Sequence, residues 1–156
     1  MTVNTAQGSK LFIGGNGAQP VDNAAWAALT WVEVGEVENF GEIGDESRVG
    51  NFTAVADART RKLKGPFDAG TLNIVVGKDP NNAGQTAMKA AKDSKFDYNF
   101  KIQLADAVTP STGTPTLIYF RGIVQSNRDN IGAVDNVVRT TYSIGVNIKP
   151  IEVPAT

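Results

Sequence analysis

Apolar and polar positions alternate along most of the chain. Over Asp97 to Leu104, Tyr98, Phe100, Ile102 and Leu104 alternate with Asp97, Asn99, Lys101 and Gln103. Successive side chains of a strand point to opposite faces, so this spacing predicts a half-buried strand with one polar side. Val137 to Lys149 repeats the pattern at greater length. Val138, Tyr142, Ile144, Val146 and Ile148 fall on one side, with Arg139, Thr141, Ser143, Asn147 and Lys149 on the other. Thr116 to Gln125 is more apolar on both faces, as a central or interface strand would be. Trp31 to Phe40 alternates, but its phase slips near Gly35, which predicts a β-bulge. Lys10 to Ile13, Arg48 to Val55, Arg61 to Lys64 and Thr71 to Val76 are shorter candidates.

One segment carries the helical period. Asp79 can cap a helix with Pro80 at its first position, and Ala83, Ala87, Met88 and Ala91 then form an apolar stripe. The helix is expected over about 79–93, ending near Asp93 or Ser94. Alternating strands with one helix predict a mainly β fold, an antiparallel β-sandwich or barrel with one flanking α-helix. The stretch from Gly41 to Arg61 is Gly-rich and polar, and reads as a long inter-strand loop holding one weak strand pattern. Residues 1–9 and 150–156 read as extended N-terminal and C-terminal arms.

Length and composition narrow the class. A chain of 156 residues fits a single domain of roughly 100–200 residues, spanning 1–156. Hydrophobic residues at 41% and charged residues at 20% are ordinary globular values. Without Cys there is no disulfide, thiolate nucleophile or Cys-ligated metal, a usage that fits synthesis in a reducing cytoplasm. Without His there is no Ser–His–Asp triad and no imidazole base. The net charge of −1 gives no global attraction to DNA phosphates or anionic lipid. Met1 to Lys10 lacks the apolar core of a secretory signal, and no run approaches the roughly 18 apolar residues of a membrane span. No membrane association is expected.

The remaining chemical motifs are weak. Glu36 and Glu38 share a strand face but have neither the cleft nor the substrate platform of a glycosidase pair. Gly44-Asp45-Glu46 and Asp79-Pro80-Asn81-Asn82 lack the alternating oxygen ligands of a calcium loop, and the second serves better as a helix start. Gly14-Gly15-Asn16-Gly17 lacks the Gly-Lys-Ser/Thr ending of a phosphate loop. Asn51-Phe52-Thr53 matches a glycosylation acceptor, empty without secretion. No catalytic, cofactor-binding or metal-binding residues are expected.

Charge order is more informative. Glu33, Glu36, Glu38, Glu42, Asp45 and Glu46 precede Arg59, Arg61, Lys62 and Lys64. The basic cluster is too short, and too free of aromatics, for a nucleic-acid surface. A self-complementary contact fits it, the acidic patch of one copy meeting the basic patch of the next; a solvated hairpin is the plain alternative. The contact residues expected are Asp45, Glu46, Arg48, Asp57, Arg59, Arg61 and Lys62, and reversing Arg59 and Arg61 to Glu should weaken stacking.

The order of motifs then carries a resemblance. Trp31-Val32-Glu33-Val34-Gly35-Glu36-Val37 lies upstream of Arg61-Lys62-Leu63-Lys64-Gly65-Pro66-Phe67-Asp68-Ala69-Gly70-Thr71-Leu72. Asp79-Pro80-Asn81-Asn82-Ala83-Gly84-Gln85 and the helix follow, then Tyr98-Asn99-Phe100, Gly113-Thr114-Pro115, Tyr119-Phe120 and Asp135-Asn136-Val137-Val138. From about Gln7 to Ile151 the chain resembles the major tail tube protein of long, non-contractile phage tails. The resemblance implies a β-sandwich with a flanking helix, assembled as hexameric rings stacked into a hollow tail through which the DNA genome passes. It implies a virion protein made in the host cytoplasm, with itself and the terminator, tape measure and distal tail proteins as partners. It further implies that the 41–61 loop reaches the neighbouring ring and that the terminal arms bridge subunits. The type VI secretion tube shares the fold. A type VI-like secretion tube subunit and a monomeric β-sandwich ligand-binding module, with Trp26, Trp31, Phe52 or Tyr119 as platforms, are the other readings.

Overall fold

The computed structural model describes residues 3–109 and 111–156. Its main feature is one eight-stranded antiparallel sheet. The strands are β1 (Lys10–Ile13), β2 (Val32–Val34), β3 (Val37–Asn39), β6 (Thr71–Gly77), β7 (Tyr98–Gln103), β8 (Leu117–Asn130), β9 (Arg139–Val146) and β10 (Ile151–Val153). Two more, β4 (Glu46–Thr53) and β5 (Thr60–Asp68), form a separate two-stranded sheet. The period-two segments thus become strands, and the mainly antiparallel β fold with a flanking helix is what forms.

The sheet order β2-β1-β7-β8-β9-β6-β3 places β2 and β3 at opposite ends. Yet only Gly35 and Glu36 separate them in the chain. The sheet therefore has to curl until its two ends meet, as a barrel does. The expected single bulged strand from Trp31 to Phe40 is corrected by this geometry: the slip at Gly35 is a change of partner, not a bulge. Val34 pairs with Leu11 of β1, whereas Val37 pairs with Val76 of β6. Glu36 turns the corner in the left-handed region, at φ 58°.

Helix α2 (Ala83–Asp93) staples this seam. Its N-cap is Asn82, not the expected Asp79, because Asn82 is still extended and its Oδ1 accepts from the Gln85 N–H at 3.0 Å. Asp79 and Pro80 belong to the preceding turn, where Asn82 N donates to the Asp79 carbonyl. The buried Gln85 side chain donates to the carbonyls of Gly35 and Gly77 at 3.2 and 2.8 Å, and accepts from Asp79 N at 3.0 Å. One amide thus satisfies three backbone groups where a strand partner is missing. The inward stripe is Gly84, Gln85, Met88 and Ala91, while Ala83 faces solvent.

Leu11, Ile13, Val34, Leu72, Ile74, Val76, Phe100, Phe120 and Ile144 fill the interior together with Met88 and Ala91. Phe100 and Phe120 stack there at 5.2 Å. A second apolar cluster covers the outer side of β1, β7 and the start of β8. A short helix, α1 (Asn23–Ala27), capped by Asp22, buries Trp26 against Tyr119 at 5.4 Å, and Trp31 stacks on Tyr119 at 6.0 Å. Five residues are too few to show a helical period, so α1 has no signature in the pattern. Arg121 pins the glycine-rich 14–17 segment by donating to the Gly17 carbonyl and to Asn99 Oδ1, both at 2.8 Å. Two expected ligand platforms, Trp26 and Tyr119, are thereby buried in packing.

The C-terminal arm is docked and not free. Ile151 to Val153 pair with Tyr119 to Leu117 of β8, and Thr156 and Thr114 exchange reciprocal backbone bonds at 3.0 Å. In the N-terminal arm, residues 3–8 are exposed.

Two carboxylates tie strand ends, and both sit below the ordinary value of 3.8. Asp106 accepts from the Thr116 hydroxyl and Thr116 N at 2.6 and 2.7 Å. Asp129 accepts from Lys78 Nζ at 2.5 Å and Thr140 Oγ1 at 2.7 Å. Hydrogen bonds to the charged form lower each pKa in the folded chain. Unfolding in acid therefore takes up protons, so this stabilisation is whole above the unfolded value and lost as pH falls through the folded one. We expect the urea midpoint to hold level down to about pH 4 and to drop below it. Asp129→Asn should flatten part of that drop; an unchanged acid limb would show that the pair contributes nothing.

Candidate assembly surface

The stretch expected as a long loop is largely one arm of a β-hairpin: the strand candidates Arg48 to Val55 and Arg61 to Lys64 become β4, which starts earlier at Glu46, and β5, which runs on to Asp68. Threonines and β-branched or aromatic residues support the ribbon: the Thr53 and Thr60 hydroxyls meet across it at 3.0 Å beside the turn. The register runs from Glu46 opposite Asp68 to Thr53 opposite Thr60, with a shift between Ser47 and Val49. There Arg48 faces both Gly65 and Pro66, and the missing N–H of Pro66 is tolerated at such an irregularity. A Cβ at Gly65 would sit 2.9 Å from the Arg48 carbonyl, so glycine is required for the close approach.

Folding converts a linear charge order into a spatial one. Asp45 and Glu46 lie at the base of the hairpin, whereas Asp57 and Arg59 lie in its turn with Arg61 and Lys62 just behind. Eight strand residues at about 3.3 Å each separate the two ends by roughly 26 Å. Arg48 stands near the base on β4. Arg61 is paired with Asp57 at 2.6 Å, both side chains largely exposed, a contact worth under about 1 kcal/mol. Asp68 adds a carboxylate to the base directly opposite Glu46, a like-charge pair that the sequence pattern did not single out.

Of the apolar content of the hairpin, the sequence marks only Phe52, as a ligand platform. Val49, Phe52, Leu63 and Phe67 are all more than half exposed, and Val55 at the tip is fully so. Cross-strand partners share a face, so Phe52 and Leu63 stand on one side of the ribbon and Val49 and Phe67 on the other. Their alternation is diluted by glycine, asparagine and charge, which is why 41–61 reads as loop. Beside the base, Phe67, Ala69, Val146 and Ile148 line a cleft of about 650 Å³ whose polar residues are Asp45, Asp68, Asn147 and Lys149.

A second surface is largely polar, with half-buried Val75 standing beside Thr141 on the same side. On the outer side of β6, β9 and the far half of β8 stand Thr71, Asn73, Thr141, Ser143, Ser126 and Arg128, opposite in phase to the buried Leu72, Ile74, Tyr142 and Ile144. Ser143 Oγ donates to Asn73 Oδ1 at 2.7 Å. Arg139 at its margin is ion-paired with Glu38. Among the described residues no carboxylate cluster is arranged to hold a metal ion, and no helix is long and apolar enough to cross a membrane.

Comparison with known proteins places this architecture. No curated protein matches the chain. Among solved structures, the SPP1 tail tube, determined by solid-state NMR and cryo-EM, superposes with a TM-score of 0.61. It is 15% identical over 95% of this chain and 77% of that one. A chain of the anti-feeding prophage baseplate, solved by cryo-EM, gives a TM-score of 0.67 at 10% identity, over 99% and 97% of the two chains. At these identities the likeness is one of fold. The family model for phage tail tube protein, TTP, matches residues 3–150, nearly the whole chain. A barrel with a flanking helix, a projecting hairpin and a family match of that extent lead to one conclusion: the chain belongs to the phage tail tube protein family and is a structural component of the virion.

Proposed function

We propose that copies of this chain close into hexameric rings that stack into a hollow tail tube, and that double-stranded DNA passes through it without sequence-specific binding. The observation that carries the stacking is the hairpin. A two-stranded ribbon is marginal by itself in water, and this one holds five large apolar side chains in solvent. A neighbouring copy that covers them supplies the missing burial. In this reading Asp45, Glu46, Arg48, Asp57, Arg59, Arg61 and Lys62 lie at the contact between subunits.

The bare outer face of β6, β9 and β8 supports the conduit. Hydroxyl and amide side chains hydrate well, and a lining with few cations does not hold passing phosphates. The opposite half of the sheet's outer side is covered by Trp26 and Trp31, which leaves this half for the lumen. The subunit acts as a structural element and not as an enzyme, assembles in the host cytoplasm, and meets terminator, tape measure and distal tail proteins at the tube ends. A monomeric binding module is less favoured, because Trp26 and Tyr119 are already occupied by each other.

Negative-stain electron microscopy across a concentration series, with light scattering, tests the reading; hollow tubes of uniform width are expected. A strict monomer at every concentration, also in the presence of tail initiator proteins, would refute it. Charge reversal tests the ionic part of the contact. Since Arg61 is held by Asp57, Arg59→Glu with Lys62→Glu is the cleaner pair. That variant should keep its circular dichroism and thermal midpoint while the concentration needed for tubes rises about tenfold, or about 1.4 kcal/mol per contact. Full-length tubes at the wild-type concentration, in low and high salt alike, would remove electrostatics from the stacking.

A further inference from the structure

Resting on the tube reading, the geometry points to a specific joint: the hairpin tip of one copy, led by Val55, seats in the cleft at the hairpin base of a second copy. The shapes correspond. The tip runs Ala54-Val55-Ala56-Asp57-Ala58, so one fully exposed valine projects from a slim frame of alanines. The cleft is walled by Phe67, Ala69, Val146 and Ile148. A small apolar wedge thus meets a concave apolar wall, and burying it removes both from water.

The charges correspond as well. Asp45 and Asp68 stand at the cleft with one cation, Lys149, and Glu46 lies directly opposite Asp68 in the ribbon, so carboxylates prevail. Like charges so placed repel, and among the described residues no salt bridge within the subunit neutralises any of the three. Arg59 and Lys62 follow the valine by four and seven positions and bring cations to that rim, while Arg61 is held by Asp57 within the tip. A hairpin cannot fill its own cleft, since tip and base are roughly 26 Å apart along the strands. A competing knob with several exposed apolar side chains is the loop between β8 and β9, where Ile131, Val134 and Val137 stand in solvent; Val21, Phe96 and Val108 are exposed singly elsewhere. That loop carries Asp135, and its nearest following cation, Arg139, is held by Glu38, so it brings no free cation to the acidic rim. Tip-to-base docking is heterologous, and repeated without closure it builds an open stack.

The chain has no cysteine, so introduced thiols report on contacts without background. In tubes of the Val55→Cys, Ala69→Cys double variant, mild oxidation should give a reductant-sensitive ladder of covalent multimers. Either single variant should give none. Tubes that form without a ladder would overturn the joint and leave the tube reading intact. So would tubes in which Val134→Cys, in place of Val55→Cys, links to the Ala69→Cys site. A second variant, Val55→Asp, puts an anion at the tip. Its fold should be unchanged and the concentration needed for tubes raised at least about tenfold; tubes at the wild-type concentration would equally overturn the joint. If the unsubstituted chain forms no tubes with or without initiator proteins, the tube reading fails and the joint with it.

Discussion

Cutting back the hairpin is expected to leave a folded subunit that forms no tubes. The change joins Ser47 to Phe67 through Asn-Gly and removes Arg48 to Pro66. Ser47 and Phe67 are already cross-strand partners, and Asn-Gly suits a two-residue turn of the primed type. β4 and β5 form a sheet of their own, and no residue from Arg48 to Pro66 belongs to the interior. The thermal midpoint should therefore move by no more than a few degrees, about what 1 kcal/mol produces in a domain of this size. Assembly should be lost at every concentration. Calorimetry and electron microscopy on the same samples separate the two readouts. A shortened chain that unfolds would make the hairpin part of the fold, and one that forms tubes at the wild-type concentration would acquit the hairpin of any role in stacking.

Gly84→Ala should destabilise the subunit by about 3–5 kcal/mol, as large as the loss of a buried core side chain. The sign is opposite to the usual one, since alanine in a helix normally gains about 1 kcal/mol over glycine. Here a Cβ would overlap the Glu33 carbonyl and press on the Val34 Cα. Both are backbone atoms of β2, so no side chain can swing away. Helix α2 has to lift from the sheet, drawing Met88 and Ala91 out of the interior and Gln85 off the seam. Urea denaturation measures the loss, with Gly17→Ala as control, because nothing lies within 4 Å of a Cβ there. A Gly84→Ala chain as stable as the parent would mean that no close contact between α2 and the β2 backbone holds the helix.

The hairpin and Gly84 mark where local pattern decides the structure and where distant contacts do. Period two is readable in β9, where a buried face alternates with a half-exposed polar one and local burial agrees with local chemistry; in β7 the polar face is itself covered, with Asn99 buried and Lys101 lying over Phe12 and Trp31. The helix was readable from its spacing, but its first turn was not. Asp79 and Asn82 are equally good capping residues, and the choice fell to Asn82, whose Oδ1 also accepts from Gly35 N of the seam at 3.3 Å. That partner is distant in sequence and near only in the fold.

The hairpin shows the same division. Its charged residues were singled out because charge order survives in one dimension. Of its apolar residues only Phe52 stands out in the sequence, because each is isolated among polar neighbours, and they form a surface only once two strands lie side by side. Asp68 gained its meaning from standing across from Glu46, a register that no local rule supplies.

Composition and alternation by themselves determined a mainly β subunit without His or Cys chemistry, with one amphipathic helix and a charge-segregated segment suited to self-contact. Those are properties of residues taken singly or in short windows. The tertiary structure alone decided that Gly35 and Glu36 join opposite ends of the sheet, that Trp26 and Tyr119 bury each other, that the C-terminal arm is a strand, and that a cleft opens beside Asp68. Each of these depends on contacts between segments far apart in the chain, whose pairing is chosen by the burial of the whole interior and not by any local preference.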